Sequence, residues 1–352
     1  MFRPRWDWGL VLPMIFLSVI GLVILRGISP DLLPAQLGFM GSAAMAFVLA
    51  SLLGHYLLFS FHLPIYITSI IFLTTPFFLG LASRGAYRWI QLTPNLSLQP
   101  SELIKPFLLV TFVSLAVSAN RYRLPLLVLA ALIPTIIIFL QPDLSTAIVI
   151  LVGWFTVFLS KVQLKLILAA LILFGLIIYP LYHFVLHDYQ KDRLRTYLNP
   201  YSDPLDKGYH VIQSIIAVGS GGLFGRGLGH GPQSDLRFLP ERHTDFVFAS
   251  IGESFGFVGS ATILILFLAL IYRTYQISQS SPEPQASLFC LAAASLLAFQ
   301  TLINIGMNLG LVPVTGITLP FLSYGGSSLL SVYFTLGLVN SISVARKYEL
   351  TS

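Results

Sequence analysis

Ten apolar runs govern what this chain can fold into. They lie at about 8–25, 35–58, 63–82, 101–119, 124–140, 144–160, 164–186, 246–272, 286–312 and 319–343. Roughly 20 apolar residues in an α-helix cross the hydrocarbon core of a bilayer, where no water can satisfy open backbone groups. The residues are 56% hydrophobic and only 10% charged, with a mean hydropathy of +0.83, which excludes a soluble domain. The expected fold is an all-α polytopic membrane protein of about ten transmembrane helices, organised as one integral membrane domain over 1–352. The lone Cys290 excludes an intrachain disulfide and any cysteine-built metal cluster. Arg3 and Arg5 precede the first run as in a secretion signal. That run is too long, and Ile24-Leu25-Arg26-Gly27 offers no small-residue cleavage site, so an uncleaved first span is expected.

Short-loop cations set the orientation. With the N-terminus cytoplasmic, Arg3, Arg5, Arg121, Arg123, Lys161, Lys165, Arg273, Arg346 and Lys347 lie inside. Only Arg26, Arg84 and Arg88 lie in short outside loops, as the positive-inside rule requires. The long loop at about 187–245, between the seventh and eighth spans, is then extracytoplasmic. It carries Lys191, Arg193, Arg195, Lys207, Arg226, Arg237 and Arg242. Loops of this length escape the charge rule, so the excess calls for another reason: a phosphate or pyrophosphate ligand, or a solvated loop touching lipid head groups. The net charge of +6 is modest and calls for no nucleic-acid partner. Within the loop, Val211, Ile212, Ile215 and Ile216 form an apolar stripe at helical spacing, which could lie on the membrane surface or dip into it. The glycine-rich run from Gly219 to Gly229 follows, and its backbone N–H groups are candidates to meet an anion. Without a preceding strand or a Gly-Lys-Ser/Thr ending, it is neither a dinucleotide fingerprint nor a P-loop.

The loop closes on Leu239-Pro240-Glu241-Arg242-His243-Thr244-Asp245-Phe246, which runs into an apolar helix. An acid at the lip of a span is costly unless paired or wetted. Asp245 is therefore either a first-turn acid at the helix start, with Thr244 available as a cap, or a general base. Burial would raise its pKa, and Arg242 or a protonated His243 would lower it; Glu241 is the alternate base. Glu253, two turns on, can face the same groove or be a hydrogen-bonded interior acid. Glu102 and Lys105 share one helix face, as a structural ion pair or as a cavity wall. Asp143, before Leu144-Ser145-Thr146, is most simply a helix N-cap. His55, His62 and His183 stand among apolar residues and read as core or interfacial. Gly316 through Ser328 breaks the start of the last span, which suits close helix packing or an interrupted helix lining a cavity.

Four of these segments, in order, resemble motifs of the shape, elongation, division and sporulation family. They are Arg88-Trp89-Ile90 with Gln99-Pro100-Ser101-Glu102 and Lys105; Gln141-Pro142-Asp143-Leu144 with Thr146-Ala147; Leu239 through Phe248 with Gly252-Glu253; and Pro313-Val314-Thr315-Gly316 through Ser328. The resemblance covers nearly the whole chain and leans towards the elongation branch. Ser145, Ser254 and Thr318 depart from the family pattern, none of them in the Asp245 motif.

The resemblance implies a multi-pass peptidoglycan glycosyltransferase of the bacterial cytoplasmic membrane. Such an enzyme polymerises lipid II onto an undecaprenyl-pyrophosphate-linked glycan at the outer face, beside a class B penicillin-binding protein. The family's essential aspartate maps onto Asp245, and its paired acid and lysine map onto Glu102 and Lys105. Asp245 would take the proton from the attacking GlcNAc 4-hydroxyl, with inversion at the MurNAc C1. Arg193, Arg195, Lys207 or Arg226, or a bound Mg²⁺ or Mn²⁺, would stabilise the departing pyrophosphate. The sequence shows no dedicated metal cage, and no organic cofactor is expected. The alternatives are a lipid II flippase, a scaffold for the penicillin-binding protein, and the family's division-specific branch.

Overall fold

The computed structural model describes residues 6–79, 88–93, 96–162, 191, 197–198, 208–235, 238–239 and 241–349. They build a helical membrane protein. Seven helices are long and apolar enough to cross a membrane, and two shorter apolar ones, Lys105–Val117 and Leu144–Leu159, coincide with the expected fourth and sixth spans. The expected seventh span, 164–186, lies outside the described residues, as does His183. The chain forms two compact units: 1–158 with 264–301 and 320–352, and 159–263 with 302–319.

In the first unit, α1 (Trp8–Ile28) is capped by Asp7, whose carboxylate accepts the Gly9 N–H. The same carboxylate takes two hydrogen bonds from Arg273, at 3.0 and 2.7 Å, and one from the Ser343 hydroxyl. Asp7 is buried, so the bidentate pairing offsets the cost of removing its charge from water. Arg273 and Ser343 thus meet the start of α1. Next come α2 (Leu33–Leu53), α3 (His55–Ser60) and α4 (His62–Leu79). His55 is buried and has partners the sequence does not suggest. Its Nδ1 lies 3.1 Å from the Ser341 hydroxyl and its Nε2 lies 3.3 Å from Glu283.

A two-stranded antiparallel hairpin, β1 (Ile90–Thr93) and β2 (Leu96–Leu98), precedes the next helices and pairs Ile90 with Leu98. It is a small addition to the all-α expectation. The fourth span is split into α5 (Pro100–Leu103) and α6 (Lys105–Val117). Pro106, which has no N–H and crowds the carbonyl four residues back, accounts for the break. The chain continues with α7 (Arg123–Leu140) and α8 (Leu144–Leu159).

In the second unit lie α9 (Tyr209–Ser220) and the short α10 (Pro232–Asp235). Two long helices then pass from one unit into the other, α11 (Val247–Ser280) and α12 (Pro284–Asn308). The last helix, α13 (Gly326–Glu349), belongs to the first unit. The expected break before it is present: residues 313–325 are irregular, with Leu319, Phe321 and Leu322 nonetheless buried. α13 packs along α2 at a glycine: a Cβ on Gly337 would lie 2.5 Å from the Phe47 carbonyl oxygen. In lipid, where packing rather than hydrophobicity joins helices, small residues set such approaches.

Candidate functional site

The Asp245 turn is built by residues that fold it tightly and then tie it down. Residues 241–246 form consecutive turns that lead into α11 at Val247. Glu241 has a φ of 48°, unusual for a residue with a side chain, and its carbonyl accepts the N–H groups of Thr244 and Phe246 at 3.1 and 3.2 Å. Strain of this kind is held only where the surroundings fix it. Here Leu239 and Phe246 do so, buried against Ala217 and Ala249 with Val218 and Val314. His210 stacks on the Phe246 ring at 6.1 Å between centroids. The Thr244 hydroxyl donates back to the Glu241 carbonyl and carboxylate, at 3.2 and 3.3 Å.

Two asparagines on α12 complete the turn, and both are fully buried. Asn304 and Asn308 each donate an Nδ2–H to the Asp245 carbonyl at 3.1 Å. Asn304 also donates to the Ile317 carbonyl, at 2.8 Å. Asn308 accepts the Ala249 N–H at 3.0 Å, and its backbone carbonyl accepts the Ser214 hydroxyl at 2.8 Å. Asp245 thus stands half-buried on a backbone fixed from three directions. Sequence reasoning missed this pair. The signal was there: Gln300, Asn304 and Asn308 are amides at successive helical turns in a mostly apolar run.

Asp245, Glu241, Arg242 and His243 are together, all half-buried. Burial and Arg242 hold the His243 imidazole below its ordinary pKa, with burial the larger cause and Glu241 opposing. Arg242 is the fixed cation of the turn.

Glu253 resolves to the interior-acid alternative. Its side chain is fully buried, and it accepts the N–H groups of Gln233 and Ser234 at 2.8 and 2.9 Å and the Ser234 hydroxyl. It anchors α10. Replacing it by glutamine places an NH₂ against the backbone N–H of Gln233 or of Ser234, while the remaining oxygen keeps the other, and costs about 2 kcal/mol. Thermal unfolding of Glu253→Gln in detergent checks this. A lowered Tm with polymerising activity retained per folded molecule is expected, since the Asp245 turn rests on other residues.

In the glycine-rich run, three of the backbone N–H groups expected to be candidates for an anion are taken up inside the protein. The N–H of Gly225 donates to the Gly221 carbonyl, that of Arg226 to Glu253, and that of Gly227 to Ser254, at 2.8, 2.9 and 3.0 Å. In return, Phe257 and Val258 donate their N–H groups to the carbonyls of Gly222 and Leu223. The loop is docked backbone to backbone into a kink of α11 at Gly256, whose φ is 63°. A Cβ on Gly225, at φ 82°, would overlap the Ser254 backbone.

Of the expected pyrophosphate cations, Arg193, Arg195 and Lys207 lie outside the described residues. Arg226 is exposed, and its Nε donates to the Ser220 carbonyl. The stripe in α9 is helical as expected. Its buried face is Val211, Ser214 and Ala217, while Ile215 and Ile216 are exposed.

The first unit holds a second polar cluster. Lys105 pairs with Glu102 at 2.7 Å, both largely buried, and the Thr146 hydroxyl donates to the other Glu102 oxygen at 3.4 Å. Asp143 caps α8 through the Thr146 N–H at 3.2 Å and also accepts Gln99 Nε2 at 2.6 Å and the Ser101 hydroxyl at 3.3 Å. The Gln99 N–H donates to Ser327. Three of the four sequence motifs thus converge here. Beside Lys105 is a cavity of 20 Å³, bordered by Gln300, Ser331 and Thr335. Among the described residues no three His, Cys, Asp or Glu side chains stand together as a metal site.

A helical membrane protein with a strained acidic turn, clamped by buried amides, is the class that fold and site define. The family described as cell cycle protein, FtsW/RodA/SpoVE, matches residues 7–348, and the chain belongs to that family. It is similar to the peptidoglycan glycosyltransferase MrdB of Escherichia coli, 41% identical over 288 residues, covering 80% of this chain and 78% of that one. Among solved structures it is similar to a chain from a peptidoglycan synthase complex that coordinates polymerization and crosslinking. That match has a TM-score of 0.84 and 35% identity, covering 98% and 99% of the two chains. It is also similar to a mutant of the rod shape determining protein RodA from Thermus thermophilus, with a TM-score of 0.73 and 30% identity over 98% and 99%.

Proposed function

We infer that this chain polymerises lipid II into glycan strands at the outer face of the bacterial cytoplasmic membrane, with Asp245 as the general base. It is a multi-pass membrane protein and a peptidoglycan glycosyltransferase of cell elongation and shape. The clamped Asp245 turn is the observation that carries the base assignment. A carboxylate held on a fixed backbone at the start of a span can meet a sugar hydroxyl presented just outside the bilayer. As the GlcNAc 4-oxygen attacks C1 of the lipid-linked MurNAc, its proton passes to an Asp245 carboxylate oxygen. The C1–O bond to undecaprenyl pyrophosphate breaks, and the anomeric centre inverts. The N-terminus is cytoplasmic in this reading, which places the 187–245 loop and its cations on the substrate side.

Arg193, Arg195, Lys207 and Arg226 are assigned to the pyrophosphate. Replacing Arg193 and Arg195 together by Ala weakens capture, so turnover falls at limiting lipid II and recovers towards saturation; an unchanged KM removes the assignment. Mg²⁺ or Mn²⁺, held largely by pyrophosphate oxygens, would add charge neutralisation to the leaving group. Its effect is read by titrating metal into chelated enzyme. The kinship to a synthase that couples polymerisation to crosslinking supports a class B penicillin-binding protein as partner.

The flippase alternative is separated by reconstituting the chain in proteoliposomes with fluorescent lipid II supplied in one leaflet. Polymer formation by the chain supports the transferase. Transfer of lipid II between leaflets without polymer supports the transporter.

A further inference from the structure

We propose that residues 219–225 form a re-entrant loop whose tip, Leu223 and Phe224, is buried among the acyl chains of the leaflet on the Asp245 side, with Arg226 at the level of the lipid phosphates. The inference is independent of the catalytic role of Asp245.

Three observations place the tip in lipid. The first is depth. Between Glu253 and Arg273, α11 carries no charged residue, and those 19 positions are close to the roughly 20 residues a span requires, so the hydrocarbon core takes in nearly all of them. Phe257 and Val258 then lie four and five residues inside that boundary, just past the kink at Gly256. The loop is hydrogen-bonded at that level, Phe257 to Gly222 and Val258 to Leu223, at 2.9 and 3.1 Å.

The second is satisfaction of the backbone. Irregular backbone is tolerated at membrane depth only where protein groups complete its hydrogen bonds. The carbonyls of Ser220, Gly221, Gly222 and Leu223 accept hydrogen bonds from Arg226 Nε and from the N–H groups of Gly225, Phe257 and Val258. The N–H groups of Gly225, Arg226 and Gly227 are donated within the protein as well.

The third is the surface presented. From Gly219 to Gly225 there is no charge, and Leu223 and Phe224 are 66% and 80% exposed. They continue the apolar face of α11, where Phe257 is 67% and Val258 49% exposed. That face is lipid-facing in a multi-pass protein, so the tip extends an interface already present. Arg226 follows at once, its N–H bonded to the Glu253 carbonyl at the boundary, where a guanidinium meets phosphate. The phosphate belongs either to a bulk phospholipid or to a lipid-linked pyrophosphate.

The test uses the full chain alone in proteoliposomes. Cys290 is the only cysteine and is fully buried, so Cys290→Ala gives a clean background for spin labels at single new cysteines. The probes are Phe224→Cys, Ile265→Cys as a mid-span lipid control, and His230→Cys as a control past Arg226. Each is first checked for a monodisperse elution profile in detergent. Collision with oxygen, which partitions into lipid, should exceed collision with a water-soluble nickel chelate at 224 by several-fold over the ratio at 230, approaching that at 265. A ratio at 224 equal to that at 230 overturns the proposal. So does a label at 224 shielded from both reagents, which would mean that protein covers the tip. For the phosphate, distances from a label at Leu228→Cys, with Arg226 retained, to spin-labelled phospholipid headgroups should place it at headgroup level in vesicles of phosphatidylglycerol alone. Such placement only after lipid II is added assigns the phosphate to the lipid-linked substrate. Placement in neither case removes Arg226 from the proposal.

Discussion

Asp245→Asn lowers the polymerisation rate by roughly 10²–10⁴-fold, the contribution of a positioned base, while KM for lipid II changes little. The substitution keeps the volume and the polarity of the side chain. It also leaves untouched the backbone carbonyl that Asn304 and Asn308 hold. Insertion, thermal unfolding and binding of a class B penicillin-binding protein are therefore expected to match the unmodified chain. A loss of that size with the fold intact separates chemistry from scaffolding, because a scaffold is indifferent to one carboxylate. A fall in Tm alongside the loss of rate would instead make Asp245 a structural residue of the turn.

Gly225→Val breaks the docking of the glycine loop and has the largest expected effect on structure. Gly225 sits at φ 82°, where a β-branched residue is strongly disfavoured, and any Cβ there meets the Ser254 backbone. Backbone cannot step aside as a side-chain tip can. The left-handed conformation alone costs about 1–2 kcal/mol, and overpacking against α11 adds about 1–3 kcal/mol. The loop must then undock, exposing the Arg226 and Gly227 N–H groups and the Glu253 and Ser254 carbonyls. A marked drop in Tm, with new protease cutting between 219 and 229, is the expected outcome. The same substitution at Gly222, whose φ is 55° but which has open space around its Cβ position, should be milder and should leave the docking bonds in place. Equal effects at 222 and 225 would mean that the docking does not hold the loop.

What was legible in the sequence follows from how far each interaction reaches along the chain. Spans were legible because membrane insertion depends on local hydropathy. So were the Asp143 cap and the Glu102–Lys105 pair, both set by helical spacing of three residues. The interrupted start of α13 was legible because glycine and proline act on their own backbone.

The missed features join distant segments. Asn304 and Asn308 act on a carbonyl about 60 residues earlier, and nothing near either asparagine marks Asp245 as the target. His55 meets Ser341, 286 positions on. The glycine run looked like an anion nest because nests and docked loops share a composition. The matching glycine at 256, in a span, was the cue that a second backbone approaches. For Glu253, spacing put it on a helix with Asp245 but could not say that α10 would claim its carboxylate. The hairpin from Ile90 to Leu98 had a local cue in its alternating residues, Ile-Gln-Leu-Thr and Leu-Ser-Leu.

The central claim is that this chain forms glycosidic bonds through Asp245. The most direct measurement gives labelled lipid II to the purified chain and to Asp245→Asn, each with and without a transpeptidase-inactive class B penicillin-binding protein, and resolves the products by length. A ladder of glycan strands from the unmodified chain, and strands formed at a rate lower by roughly 10²–10⁴-fold from Asp245→Asn, is the predicted result. Strands of normal length and yield from Asp245→Asn would contradict it.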